Sequence, residues 1–113
     1  MRLIGKNKLE KYKSKNNGNT NLCYEIDKLI DDIEKNNWKS QTDVKAIRKD
    51  ADCVHSDGFY FFNISSHRTM ILIELGDDGE ATFIWVGTHQ EYESIFKNNK
   101  SSITKWLKSK NYI

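Results

Sequence analysis

The residues of this 113-residue chain best suited to chemistry lie in Gly87-Thr88-His89-Gln90-Glu91-Tyr92. Gly87 permits a turn, and Thr88 and Glu91 have the N-cap and N3 spacing of a capping box, which predicts a helix beginning at His89. A histidine in that first turn can pass a proton near neutral pH, and the positive end of the helix dipole beside it attracts a phosphate. The chemistry would be proton transfer next to a phosphodiester. The same residues serve equally well as a structural device. Thr88 and Glu91 then satisfy free backbone donors, Tyr92 and Phe96 turn inward, and His89 is a tolerated first-turn residue. On the residues alone both readings stay open.

RNA cleavage without a metal suits the residue types present. When a 2′-hydroxyl attacks its neighbouring phosphate, the site needs a base near that hydroxyl, an acid near the departing 5′-oxygen and cations around the phosphorane. The clustered carboxylates, Asp31-Asp32 and Asp77-Asp78, fall on a helix and in a turn, where solvated acids are ordinary, so a two-metal nuclease is not expected. Cys23 and Cys53 stand alone, without a Cys-x-x-Cys pair or a histidine at metal spacing. Reduced, buried thiols are expected, and no zinc site.

The elements that must position these groups change period midway along the chain. Arg2 to Ile4 reads as a short first strand, and Leu9 with Tyr12 belongs to a first helix that ends at Asn16-Asn17-Gly18-Asn19. Leu22, Ile26, Leu29, Ile30 and Ile33 form one face of a second helix, with Asp31, Asp32, Glu34 and Lys35 left for water. Asn36-Asn37 should end it and deliver Trp38, read as a structural anchor, to the connection into the sheet. Segments 59–64, 69–75 and 81–86 are rich in aromatic and β-branched residues and are separated by turn-forming clusters, so they predict successive hairpins; 51–55 supplies a further strand. In the tail, Ile103, Trp106 and Leu107 make an apolar helix stripe, while Trp106 between Lys105 and Lys108 also suits stacking on a base.

At 37% hydrophobic and 30% charged, 113 residues suit one domain and are too few for two. Met1 to Lys6 contains no long apolar run, so neither a signal peptide nor a membrane span is expected, and the expected location is the cytoplasm. The net charge of +2 hides an uneven distribution: six basic residues and one acid in 1–20, and five lysines with no acid in 97–113. The basic ends suit either a nucleic-acid surface where the termini meet or two solvated ends.

Three strings at ordered distances carry a resemblance: Trp38-Lys39-Ser40 with Asp43-Val44-Lys45-Ala46, then Phe62-Asn63-Ile64, then Val86-Gly87-Thr88-His89-Gln90-Glu91-Tyr92-Glu93. Together they resemble the HigB-type toxins of bacterial type II toxin–antitoxin pairs, small members of the RelE-like group of mRNA endoribonucleases. The resemblance covers about residues 1–96 and leaves 97–113 as a basic C-terminal extension. It implies an α+β fold, a RelE-like antiparallel sheet of about four to five strands with N-terminal helices and a C-terminal helical segment. It also implies a metal-independent, cofactor-free toxin that cuts mRNA, on the ribosome, by 2′-hydroxyl attack.

In that reading His89 transfers protons, Tyr92 transfers a proton or stacks on a base, and Arg68 and Lys45 meet the phosphate charge. Asn63, His67, Lys39 and Trp106 contact the substrate. The implied partner is a HigA-like helix-turn-helix antitoxin, with DNA reached only through it and no membrane involved. Plainer roles remain for several of these: Lys45 as a lysine whose stem covers the sheet, Tyr92 as a core-edge aromatic, Asn63 as a strand end. The resemblance further implies arginines where this chain has Met70 and Trp85. An alternative follows, a catalytically weak or inactive toxin-fold module that binds an antitoxin or RNA without cleavage.

Overall fold

Leu22, Ile26, Leu29, Ile30 and Ile33 are all buried along one helix, Thr20–Lys35, in the structure, a computed structural model that describes residues 1–113. The Asn19 side chain caps its start by accepting from the Leu22 amide at 3.1 Å, and Asn36 closes its end by donating to the Asp32 carbonyl at 2.7 Å. In chain order the elements are β1 (Arg2–Ile4), α1 (Lys6–Lys15), α2 (Thr20–Lys35), α3 (Gln41–Ile47), β2 (Asp52–His55), β3 (Phe59–Ile64), β4 (His67–Glu74), β5 (Glu80–Thr88), α4 (His89–Phe96) and α5 (Lys100–Ser109). This is an α+β fold of the RelE-like kind.

The sheet order is β1-β5-β4-β3-β2. Strands β2 to β5 form the expected antiparallel meander, but β1 runs parallel to β5, so the sheet is mixed rather than wholly antiparallel. No hairpin constrains that pair, because every other strand separates β1 from β5 in sequence. The Met1 amine donates to the carbonyls of Ile33 (3.0 Å) and Asn36, which fastens β1 to the negative end of α2. The second departure from expectation is α3, which occupies the segment read as plain connection.

Both faces of the sheet are covered. On the first, Leu9, the α2 stripe, Trp38 and Val44 pack on Tyr60, Phe62, Ile64, Ile71 and Ile73. On the second, Tyr92 and Phe96 of α4 and Ile103 and Leu107 of α5 pack on Val54, Phe59, Phe61, Met70 and Ile84. Double coverage explains why β3 is a near-continuous aromatic run instead of alternating with polar residues. A register shift between Met70 and Ile71 gives β5 one extra residue, and consecutive Ile84 and Trp85 then both join the second cluster. Met70 and Trp85 are directly paired; Met70 is fully buried, and the Trp85 ring lies edge-on to Phe61 and Phe96. At these two positions the chain places core, not charge.

The basic termini do not meet. Leu9 of α1 belongs to the first cluster and Ile103 and Leu107 of α5 to the second, so the sheet separates them. At the N-terminal end half of the six basic residues are ion-paired: Arg2 with Glu80 (3.2 Å), Lys6 with Glu34 (3.1 Å) and Lys13 with Asp27 (2.7 Å). Cys23 and Cys53 are free and half-buried.

Tyr60 supplies a stability prediction. Its hydroxyl is buried without a hydrogen-bond partner, and burial, followed by the Cys53 thiol beside it, pushes its pKa from 10.0 up to about 12. A raised folded-state value means that this group's contribution is present below pH 10 and lost as pH rises toward 12. Tyr60→Phe removes an orphan hydroxyl, so it is expected to be neutral or stabilising by up to about 1 kcal/mol at pH 7, with the advantage widening at alkaline pH. Urea melts of both proteins check this; a clear loss of stability at pH 7 would mean that the hydroxyl is bonded.

Candidate active site

Three strand ends bring the candidate residues together. Asn63 of β3 is paired with Arg68 of β4, and Arg68 with Gly87 of β5; one step outward, His67 pairs with Thr88. The β3–β4 turn is only Ser65-Ser66, and Ser65 holds φ +62°, a left-handed conformation that stores strain in a non-glycine residue. The His89 amide donates to the Ser66 carbonyl at 3.1 Å, which ties this turn to the start of α4. Asn63, Ser65, Ser66, His67, Arg68 and His89 line one polar pocket of about 300 Å³. It opens at the rim of the sheet, where side chains from both faces reach it.

Each functional group has its own support. Arg68 lies over the Tyr92 ring at 4.3 Å, a cation–π contact that holds the guanidinium at the pocket. His89 stacks on the same ring at 5.8 Å and is half-exposed, with its Nε2 3.4 Å from a Glu93 carboxylate oxygen. His67 leans edge-on against Tyr12 at 5.9 Å, on the other side of the sheet, and its Nδ1 is 3.4 Å from Ser66 Oγ. Burial raises the Tyr12 pKa, with Glu91 adding to the effect. Gly87 has a specific reason to lack a side chain: a Cβ there would stand 2.5 Å from the Trp85 ring and 3.0 Å from Glu91 Oε1.

The capping box is complete. Glu91 N donates to Thr88 Oγ1 (3.0 Å) and Thr88 N to Glu91 Oε1 (2.8 Å). With the His89 amide given to Ser66, little of the α4 N-terminus is left to cradle an anion. The positive charge at the pocket therefore comes from Arg68. Tyr92, read from the sequence as transferring a proton, stacking on a base or sealing the core edge, sits in the core. It is 1% exposed, its hydroxyl donates to Asn98 Oδ1 at 2.9 Å, and burial raises its pKa against the lowering effect of Arg68. Its ring is a platform for Arg68 and His89.

Arg48 and Asp50 also belong to the site's support, although neither stood out in the sequence. Arg48, 6% exposed, donates to Asp50 (2.9 Å), to the Asn63 carbonyl (3.0 Å) and to Asp32 of α2 (3.4 Å). Asp50 in turn accepts from the Asn63 amide at 2.8 Å. Both backbone polar groups of Asn63 are thus held by one ionic cluster. The motif-bearing α3 delivers Arg48 there as its C-cap residue.

Three expected site residues lie elsewhere. Lys45 donates to the Lys49 carbonyl at 3.0 Å on the outside of α3. Lys39 pairs with Asp77 at 3.2 Å, in the β4–β5 turn at the opposite end of β4 from His67. Trp106 packs edge-on to Phe96 in α4 and lines a different groove. None of them lines the pocket.

No helix is long and apolar enough to cross a membrane. No curated protein matches the chain. A family model does, the HigB toxin, RelE-like toxic component of a toxin–antitoxin system, over residues 24–95, from within α2 to the last turn of α4. That span contains the whole pocket and more than half of the chain, so the chain belongs to the HigB toxin family, the toxic half of a toxin–antitoxin pair whose partner is an antitoxin.

Proposed function

We propose that this toxin is an mRNA endoribonuclease that works by 2′-hydroxyl attack, with ribosome-bound message as its substrate and a HigA-like helix-turn-helix protein as its antitoxin. The observation that carries the reading is the convergence of two imidazoles, one guanidinium and an asparagine on one polar pocket. One imidazole, His89 or His67, takes the 2′-hydroxyl proton as that oxygen bonds to phosphorus. The other supplies a proton to the 5′-oxygen as the P–O5′ bond breaks, leaving a 2′,3′-cyclic phosphate and a 5′-hydroxyl. Arg68 stabilises the phosphorane, Asn63 positions the ribose or base, and Tyr92 keeps Arg68 and His89 in place. The competing reading, a toxin-fold module that binds antitoxin or RNA without cutting, rests on the apolar pair Met70 and Trp85.

Purified toxin incubated with message, with and without translating ribosomes in magnesium buffer, distinguishes the two. Fragments ending in a cyclic phosphate or its opened 3′-phosphate are expected. Intact RNA in every condition, with growth arrest and antitoxin binding retained, would select the non-cleaving module. Fragments ending in a 3′-hydroxyl, with a 5′-phosphate on the downstream piece, would replace the imidazole route by a metal-dependent one.

A further inference from the structure

A second groove, of about 400 Å³, lies where α4 meets α5 and has no lining residue in common with the pocket at the sheet end. Lys97 and Lys105 flank it, and Trp106, half-exposed, forms part of its wall. The Trp106 ring is stacked on Tyr112, with centroids 6.0 Å apart and planes at 22°, and the Lys110 ammonium stands 6.0 Å from its centre. Residues 97–113 contain five lysines and no acid, and not one of the five takes part in an ion pair. At the opposite terminus three of the six basic residues, Arg2, Lys6 and Lys13, are each matched to a carboxylate. This region also lies beyond the family match, which ends at residue 95.

Unmatched lysines alone are an ordinary solvated face. A partly exposed indole lining the same groove is not, because it adds apolar aromatic surface inside a cationic rim. Single-stranded nucleic acid carries the complement to both, a line of phosphates and unstacked bases. We infer that the α4–α5 groove binds single-stranded RNA, with phosphates on Lys97, Lys105 and Lys110 and a base against Trp106. The choice of RNA rests on the proposed cleavage of message; the charge and the stacking surface do not.

The test uses full-length protein carrying His89→Ala, so that the RNA stays intact, titrated with a labelled oligouridylate of about twelve nucleotides at about 50 and 200 mM salt. Lys97→Glu with Lys105→Glu is expected to weaken binding about tenfold or more and to flatten the log–log salt slope by about 1.4, since each single-strand phosphate contact contributes about 0.7. Trp106→Leu, which keeps an apolar side chain against Phe96, is expected to weaken binding about tenfold while leaving the slope in place. Circular dichroism establishes that each variant is folded; should the Leu variant unfold, the lysine pair decides, because both residues are exposed.

Unchanged affinity and slope in the lysine variant would overturn the inference. So would a polyglutamate peptide that binds as tightly as the RNA and responds equally to the lysine changes, since that result assigns the groove to an acidic protein segment. Binding is read in protein without His89, so it separates from the cleavage proposal. A chain that never cuts RNA yet loses oligouridylate affinity on these changes keeps the groove and removes only the nuclease.

Discussion

Arg68→Ala is expected to reduce RNA cleavage about a hundredfold or more while leaving the domain folded, because a positioned donor to the phosphorane commonly supplies that much. The expectation is sharpened by the fate of the neighbouring positions. Met70 is buried and Trp85 partly buried in the core under α4 and α5, and Lys45 and Lys39 point elsewhere, which leaves Arg68 as the one cationic side chain lining the pocket apart from the two imidazoles. Arg68→Lys keeps a charge but loses the planar fork and the stacking on Tyr92, so an intermediate rate is expected. His89→Ala should cost about a hundredfold or more as well, and because its ring is half-exposed the domain is expected to stay folded. Single-turnover rates on a defined message, beside a thermal melt of each variant, supply the comparison. A rate that does not change in Arg68→Ala would take this pocket out of the chemistry.

The largest stability effect is expected at Arg48. Its guanidinium is 6% exposed and faces side chains of Asp50 and Asp32 that are 24% and 16% exposed, so removing it leaves Asp50 without a cationic partner and Asp32 with Lys28 alone, in a poorly hydrated place. Truncating one member of such a buried cluster costs about 3 kcal/mol or more, beyond the value of the contact itself. Arg48→Ala should therefore lower the urea midpoint strongly, and Arg48→Ala with Asp50→Asn should recover part of the loss. The same variant should slow cleavage beyond what partial unfolding explains, because Asn63 loses the donor to its carbonyl. Equal stability of Arg48→Ala and the parent would mean that the two acids are solvated after all.

Much of the fold was legible wherever a local signal agreed with the tertiary environment. The α2 stripe, the successive hairpins and the Thr88–Glu91 capping box each declared themselves, since periodicity and capping are set by neighbours in sequence. The α3 helix was not seen because seven residues carry too little apolar period, although Ser40 caps the Asp43 amide at 3.2 Å and Asp43 accepts from the Lys39 amide at 3.1 Å. A serine followed three residues later by an acid was the available signal. The direction of β1 could not be read at all, since three residues paired to the last strand of the chain leave no local trace.

For the candidate site, Asn63, His67 and Arg68 flank one two-residue turn, and their proximity to His89 follows from the meander register. Lys45, Lys39 and Trp106 were grouped with them by motif and chemistry alone. Their true distances depend on which end of a strand and which face of the sheet each element occupies, and residue spacing carries no record of that. Arg48 and Asp50 escaped notice for the opposite reason: a charged pair two apart in a polar stretch reads as surface, and only the tertiary fold makes it interior.

Helices roof the sheet on both sides, and this fixes how any guest can arrive. A flat or rod-like molecule finds no open table to lie upon; the way in is end-on, past the serine tip and the threonine–histidine corner. On the proposed RNA reading, a pliable strand able to loop one nucleotide toward the notch is the form expected to suit it.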